Sequence, residues 1–99
     1  MIAVMPMAAL GEGEMAAARV AGEEVLIVNV HGQYHAVSGR CPHAGRSLAG
    51  GTLQGFTLTC PAHGAAFDVR TGAVLGAPAE TGLKRFPVVL EGGKVKLDV

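Results

Sequence analysis

Two short stretches carry residue types able to do chemistry together: Cys41-Pro42-His43 and Cys60-Pro61-Ala62-His63-Gly64. Each offers a thiol and an imidazole a few residues apart, and sixteen residues separate His43 from Cys60. Both cysteines of the chain and two of its four histidines are used here. Thiolate and neutral imidazole are metal ligands, so two such hooks on separate stretches point to one shared centre. Cys60 and His63 are three residues apart and would face opposite ways in a regular strand. They can converge only from an irregular loop. Pro42 and Pro61 suit such loops by fixing φ and removing a backbone donor, and Gly45 and Gly64 allow close backbone approach.

On the residues alone three readings stand. The two cysteines could be plain buried thiols beside two surface histidines. They could be half of a structural Cys2His2 zinc site, although zinc hairpins more often pair Cys with Cys and His with His. Or they could hold one iron of a [2Fe–2S] cluster while the histidines hold the other.

The rest of the chain must position these ligands. Ile2-Ala3-Val4-Met5 reads as a strand stopped by Pro6, and Gly11-Glu12-Gly13 as a turn. Residues 15–20 and 23–30 read as strands joined by a two-residue hairpin at Ala21-Gly22. The continuous apolar run Val25-Leu26-Ile27-Val28 suits a strand covered on both faces. His31-Gly32 reads as the next turn, before the alternating Gln33-Tyr34-His35-Ala36-Val37. His31 is then a turn residue and His35 an exposed strand residue, neither a ligand. Ser38-Gly39-Arg40 leads into the first ligand loop. Residues 48–55 read as turn-like with one short strand, and Phe56-Thr57-Leu58-Thr59 as the strand that delivers Cys60. Ala66-Phe67-Asp68-Val69 is another strand, ending at a Thr71-Gly72 turn, after which residues 73–78 carry the chain away. Residues 85–90 and 94–99 read as one closing hairpin across Glu91-Gly92-Gly93.

Composition agrees with many short strands: 15 glycines, four aromatic residues and no tryptophan do not describe a helical bundle. The 99 residues suit a single all-β domain, a sandwich or small barrel with the ligand loops at one end. Eight Lys/Arg against eight Asp/Glu give no overall bias toward nucleic acid or an anionic membrane. The balance is uneven, however. Residues 1–30 hold Glu12, Glu14, Glu23 and Glu24 against Arg19, while residues 39–70 hold Arg40, Arg46 and Arg70 against Asp68. A mildly basic face is expected near the site. The apolar start at residues 1–10 lacks a basic leader and is interrupted by Pro6, and no run approaches the ~20 residues of a membrane span. A cytoplasmic protein with unpaired thiols is expected.

Cys41-Pro42-His43-Ala44-Gly45, then Leu48 and Gly51, then Cys60-Pro61-Ala62-His63-Gly64 with Phe67-Asp68 and Thr71-Gly72, resembles the Rieske family. The likeness is to the small soluble ferredoxins of bacterial ring-hydroxylating dioxygenases, and it covers essentially the whole chain. It implies one [2Fe–2S] cluster, with Cys41 and Cys60 on the inner iron and His43 and His63 on the outer one through Nδ1. It also implies a Rieske-like β-sandwich, residues 1–99 as one domain, with a small cluster-binding subdomain formed by two loops over about residues 39–75. Where family members often carry aromatic side chains this chain has Ala62 and Ala65, and where high-potential members carry a disulfide it has Arg46 and Ala62. Ala65 and Phe67 stand where those members have a Ser and a Tyr whose hydroxyls bond to the cluster or its ligands.

The function implied is one-electron transfer from a reductase to a terminal oxygenase, with both partners bound transiently by a monomer. Two Fe³⁺, two S²⁻ and two thiolates sum to zero charge with neutral imidazoles, so accepting an electron is easier than in an all-cysteine cluster. The chain is not expected to be the oxygenase, because only His31 and His35 remain to build a mononuclear two-His-one-carboxylate iron site. The alternative is a small Rieske-like structural or regulatory subunit of a larger reductase, such as a nitrite reductase.

Overall fold

The structure is a computed structural model and describes residues 1–41, 47–61, 64–76 and 82–98. Among these the chain is all-β apart from two single-turn 3-10 helices, Met7–Ala9 and Leu48–Gly50. No helix is long and apolar enough to cross a membrane.

β1 (Ile2–Pro6) leads through the first 3-10 turn and the Glu12-Gly13 turn to β2 (Met15–Val20). β3 (Glu23–Val30) and β4 (Gln33–Ser38) follow, joined as two tight hairpins. Both turns sit in left-handed backbone at both central positions: Ala21 at φ 52° and Gly22 at 82°, then His31 at 53° and Gly32 at 85°. That pairing matches the right-handed twist of the flanking strands, which is why it recurs in two-residue hairpins. The next four strands, β5 (Thr52–Gln54), β6 (Thr57–Thr59), β7 (Ala66–Asp68) and β8 (Val74–Gly76), form an antiparallel meander. β9 (Arg85–Phe86), β10 (Val88–Glu91) and β11 (Lys94–Leu97) close the chain.

The sheets are β1-β11-β10, β2-β3-β4-β9 and β5-β6-β7-β8. Two buried clusters lie on opposite faces of β3. Leu26, Val28 and Val30 pack with Leu48, Leu58, Phe67, Val69 and both cysteines. Val25 and Ile27 pack with Leu10, Phe86, Val95 and Leu97. Residues 25–28 are accordingly fully buried, as an apolar run covered on both faces requires.

Two elements differ from the sequence reading. The expected strand over 85–90 is divided at Pro87: β9 pairs with β4, whereas β10 pairs with β11 in another sheet. Proline has no N–H to give to a ladder, so the chain changes sheets where donation stops. Residues 74–76 do not simply lead away; they form β8, which pairs with β7 with a register shift between Ala66 and Phe67. Expected residues 77–78 and 99 lie outside the described residues.

Candidate metal centre

β4 delivers the first cysteine. After Ser38 the Gly39 N–H donates to the Glu24 carbonyl at 2.9 Å, and the Leu48 N–H donates to the Gly39 carbonyl at 2.7 Å. Arg40 and Ser47 face each other in a single antiparallel β-bridge, so the loop that begins at Cys41 is pinched shut at its base. β6 delivers the second. Cys60 donates its N–H to the Ala65 carbonyl at 2.7 Å, and its own carbonyl accepts the Gly64 N–H at 3.1 Å. Gly64 takes φ 75°, a conformation that suits glycine, and the two bonds hold Gly64 and Ala65 against Cys60.

Cys41 and Cys60 are buried in one apolar cluster with Leu48, Leu58, Ala65, Phe67 and Val69, and neither is in a disulfide. His43 and His63 lie outside the described residues, as do Pro42, Ala44, Gly45, Arg46 and Ala62. Among the described residues no group of three or more His, Cys, Asp or Glu gathers to hold a metal. The donor set nevertheless fits a [2Fe–2S] cluster. Two thiols set in the same apolar cluster, each followed two or three residues later in the sequence by a histidine, would supply two sulfur ligands from the protein side. Leu48, Leu58, Phe67 and Val69 pack in the same buried cluster as both cysteines.

The remaining histidines divide. His31 is an exposed turn residue, as expected. His35 is not exposed. It is half-buried on β4, its ring edge-on to Phe56 with centroids 5.9 Å apart, and its Nε2 is buried without a hydrogen-bond partner. Burial, then the positive charges of Arg85 and Arg70, push its pKa below the usual histidine value. Arg70 lies over the same Phe56 ring at 4.2 Å and pairs with Asp68 at 2.9 Å. The Arg70 hydrogen bond holds the Asp68 carboxyl below its ordinary pKa. Sequence reading gave no signal for this cluster, because His35, Phe56 and the Asp68–Arg70 pair are far apart in the chain.

The expected basic face is tempered. Arg40 sits 3.4 Å from Glu24, and Lys84 pairs with Glu23 at 3.6 Å. A cavity of about 260 Å³ lined by Glu12, Val30, His31 and Leu53 opens near Gly55, at the end of the β5–β6 hairpin remote from Cys60.

A profile of the Rieske [2Fe-2S] domain family matches residues 1–87. The ferredoxin component of the naphthalene 1,2-dioxygenase system of Pseudomonas aeruginosa is 35% identical over 88 residues, covering 89% of this chain and 85% of that protein. The ferredoxin of carbazole 1,9a-dioxygenase from Nocardioides aromaticivorans IC177 superposes with a TM-score of 0.93 at 31% identity, over 97% of this chain and 94% of its own. A ferredoxin solved in complex with the oxygenase of carbazole 1,9a-dioxygenase gives a TM-score of 0.91 at 31% identity, covering 97% of this chain and 90% of that one. The family match spans residues 1–87, a stretch that includes Cys41 and Cys60, and the chain therefore belongs to the Rieske [2Fe-2S] domain family, which carries one such cluster.

Proposed function

We propose that this protein is a one-electron carrier that takes electrons from a reductase and passes them to the terminal oxygenase of a ring-hydroxylating dioxygenase system. The single observation that carries this is the placing of both cysteines in one apolar cluster, outside any disulfide, in a fold shared along its length with dioxygenase ferredoxins. When bound, a cluster with two thiolate and two imidazole ligands exchanges one electron at roughly −150 to +300 mV, against about −400 mV for all-cysteine plant-type clusters.

The chain's own residues do the rest. Cys41 and Cys60 supply thiolates from a low-dielectric floor, and His43 and His63 are the proposed partners on the solvent side. The proposed cluster-binding subdomain is residues 39–75, built on the β5–β8 sheet. Pro61 and Gly64 are exposed beside the second loop and leave a small, uncharged rim for a transient partner. The protein is a carrier and not the oxygenase. Relatives serve dioxygenases of naphthalene and of carbazole, so the aromatic substrate is chosen by the oxygenase and not by this chain. We place it in the cytoplasm, where cysteines outside any disulfide are normal and nicotinamide-driven reductases work.

The test is direct. Purified protein should contain about two iron and two sulfide per chain, set by the cluster type. It should be reduced by one electron and reoxidised by the oxygenase. Cys41→Ser and Cys60→Ser should each lose the visible absorbance. A colourless protein with one tightly held zinc would overturn the reading.

A further inference from the structure

Glu24 does something that neither its sequence position nor its pairing explains. In β3 it stands opposite Arg19 of β2, yet its side chain is only 13% exposed. The side chain reaches past the end of β4 to the segment around Cys41. One carboxylate oxygen accepts the Ser47 hydroxyl at 2.6 Å, and the other lies 3.4 Å from the Arg40 guanidinium. The backbone carbonyl of Glu24 accepts the Gly39 N–H at 2.9 Å. Arg40 and Ser47 are the bridged pair at the base of the loop, so one residue of β3 grips the strand entering it and the strand leaving it.

Gly39 is shaped to permit this. A Cβ there would fall 2.7 Å from the Glu24 Cγ and 3.2 Å from its carbonyl carbon, so any side chain would push the carboxylate away. Exposed ion pairs contribute little, but a mostly buried carboxylate that also accepts a hydroxyl hydrogen bond is held in one geometry.

The geometry points to Glu24 as a positioning residue for the cluster: with Gly39 and Ser47 it clamps the base of the first ligand loop and so fixes where Cys41 stands. This rests on the reading that Cys41 is a ligand. Groups that orient a ligand without touching the metal commonly change metal affinity 10–100-fold when removed. The clamp also ties Gly39, Arg40 and Ser47 to β3, the strand shared by both cores.

The experiment compares cluster-loaded wild type with Glu24→Ala, Glu24→Gln, Ser47→Ala, Gly39→Ala and the Glu24→Ala/Gly39→Ala double variant. Loss of the cluster to a chelator is followed by absorbance, and the reduced protein is examined by electron paramagnetic resonance. Glu24→Ala and Gly39→Ala should each lose the cluster about tenfold faster and change the resonance line shape, with smaller effects for Glu24→Gln and Ser47→Ala. The double variant should be no worse than either single one, because both remove the same clamp. Ile27→Val, which loosens the other core, is the control and should leave the rate and the line shape alone. Wild-type rates in the variants, independent effects in the double variant, or an equal effect of Ile27→Val would each overturn the clamp. Failure of the wild type to take up any cluster would instead overturn the carrier reading.

Discussion

The side-chain amide of Asn29 donates to the backbone carbonyl of Leu10 at 2.9 Å, a buried bond between residues nineteen apart in the chain. Its Oδ1 accepts the Gly32 N–H at 2.9 Å, and Asn29 is 3% exposed. One buried polar side chain thus satisfies a carbonyl at the end of the first turn and a donor in the His31-Gly32 turn. Asn29→Leu keeps the bulk and removes both bonds, leaving the Leu10 carbonyl with the longer Tyr34 hydroxyl contact at 3.4 Å. It should cost about 1–3 kcal/mol in urea unfolding, the range for a buried polar group that loses its partner. An unchanged midpoint would show that water replaces both bonds.

Ala21 is exposed and holds φ 52° at the first central position of its hairpin turn, where a side chain with Cβ is unfavourable. Asn tolerates this backbone and leads the preferences for such turns. Ala21→Asn should stabilise the protein by up to about 1 kcal/mol, raising the thermal midpoint while leaving the absorbance of the cluster alone. A lower midpoint would mean that the turn is not strained.

The His35 pKa is lowered, by burial first and then by Arg85 and Arg70, with Asp68 opposing. The folded state therefore favours the neutral ring. Its contribution to stability is fully present above the ordinary value of 6.5 and fades as the pH falls through the lower folded value. His35→Phe keeps an edge-on ring beside Phe56 and removes the buried, unpartnered Nε2. Its stability advantage over wild type, followed by denaturant titration, should widen from pH 7.5 down to 5.5. A pH-independent difference would place the charge change elsewhere.

Ala65 and Phe67 are fully buried beside Cys60 and offer no side-chain donor. Hydrogen bonds to a cluster or its sulfurs stabilise the more negative reduced state, so the wild-type potential should lie low in the roughly −150 to +300 mV range. Ala65→Ser with Phe67→Tyr should shift it upward by tens of millivolts, on the order of 1 kcal/mol for a bond to a charged group. Voltammetry decides, and an unmoved potential would assign the tuning to backbone donors.

The hairpins were legible because their signals are local. Ala21-Gly22 and His31-Gly32 sit between runs whose patterns change on either side, and β2 and β3 fall where those patterns put them. The family was legible because its Cys/His motif is restricted to a few residue types at fixed spacing. What escaped depends on distant partners. β8 has no pattern of its own and exists because β7 offers an edge. His35 alternates like an exposed residue, but Phe56, from another sheet's connection, covers it. Glu24 reads as a surface charge, and only the fold brings Ser47 and Arg40 to it. Pro87 was visible, yet that a proline would divide a strand between two sheets follows only from the third dimension.

The double coverage of β3 has a consequence for how strand pairing is chosen. In a sheet with one wet face, a slip by one residue turns apolar side chains to water and is rejected on that account. Residues 25–28 are apolar at every position, so a slipped β3 would still fill both cores with branched aliphatic side chains. Burial alone does not distinguish the two pairings. The discrimination falls to the ends of the strand: two turns with room for two residues each, the Asn29 side chain that must meet Leu10 and Gly32, and Glu24, which reaches Ser47 only in the native alignment. The polar residues that flank the apolar run are thus what make it choose one alignment over its neighbour.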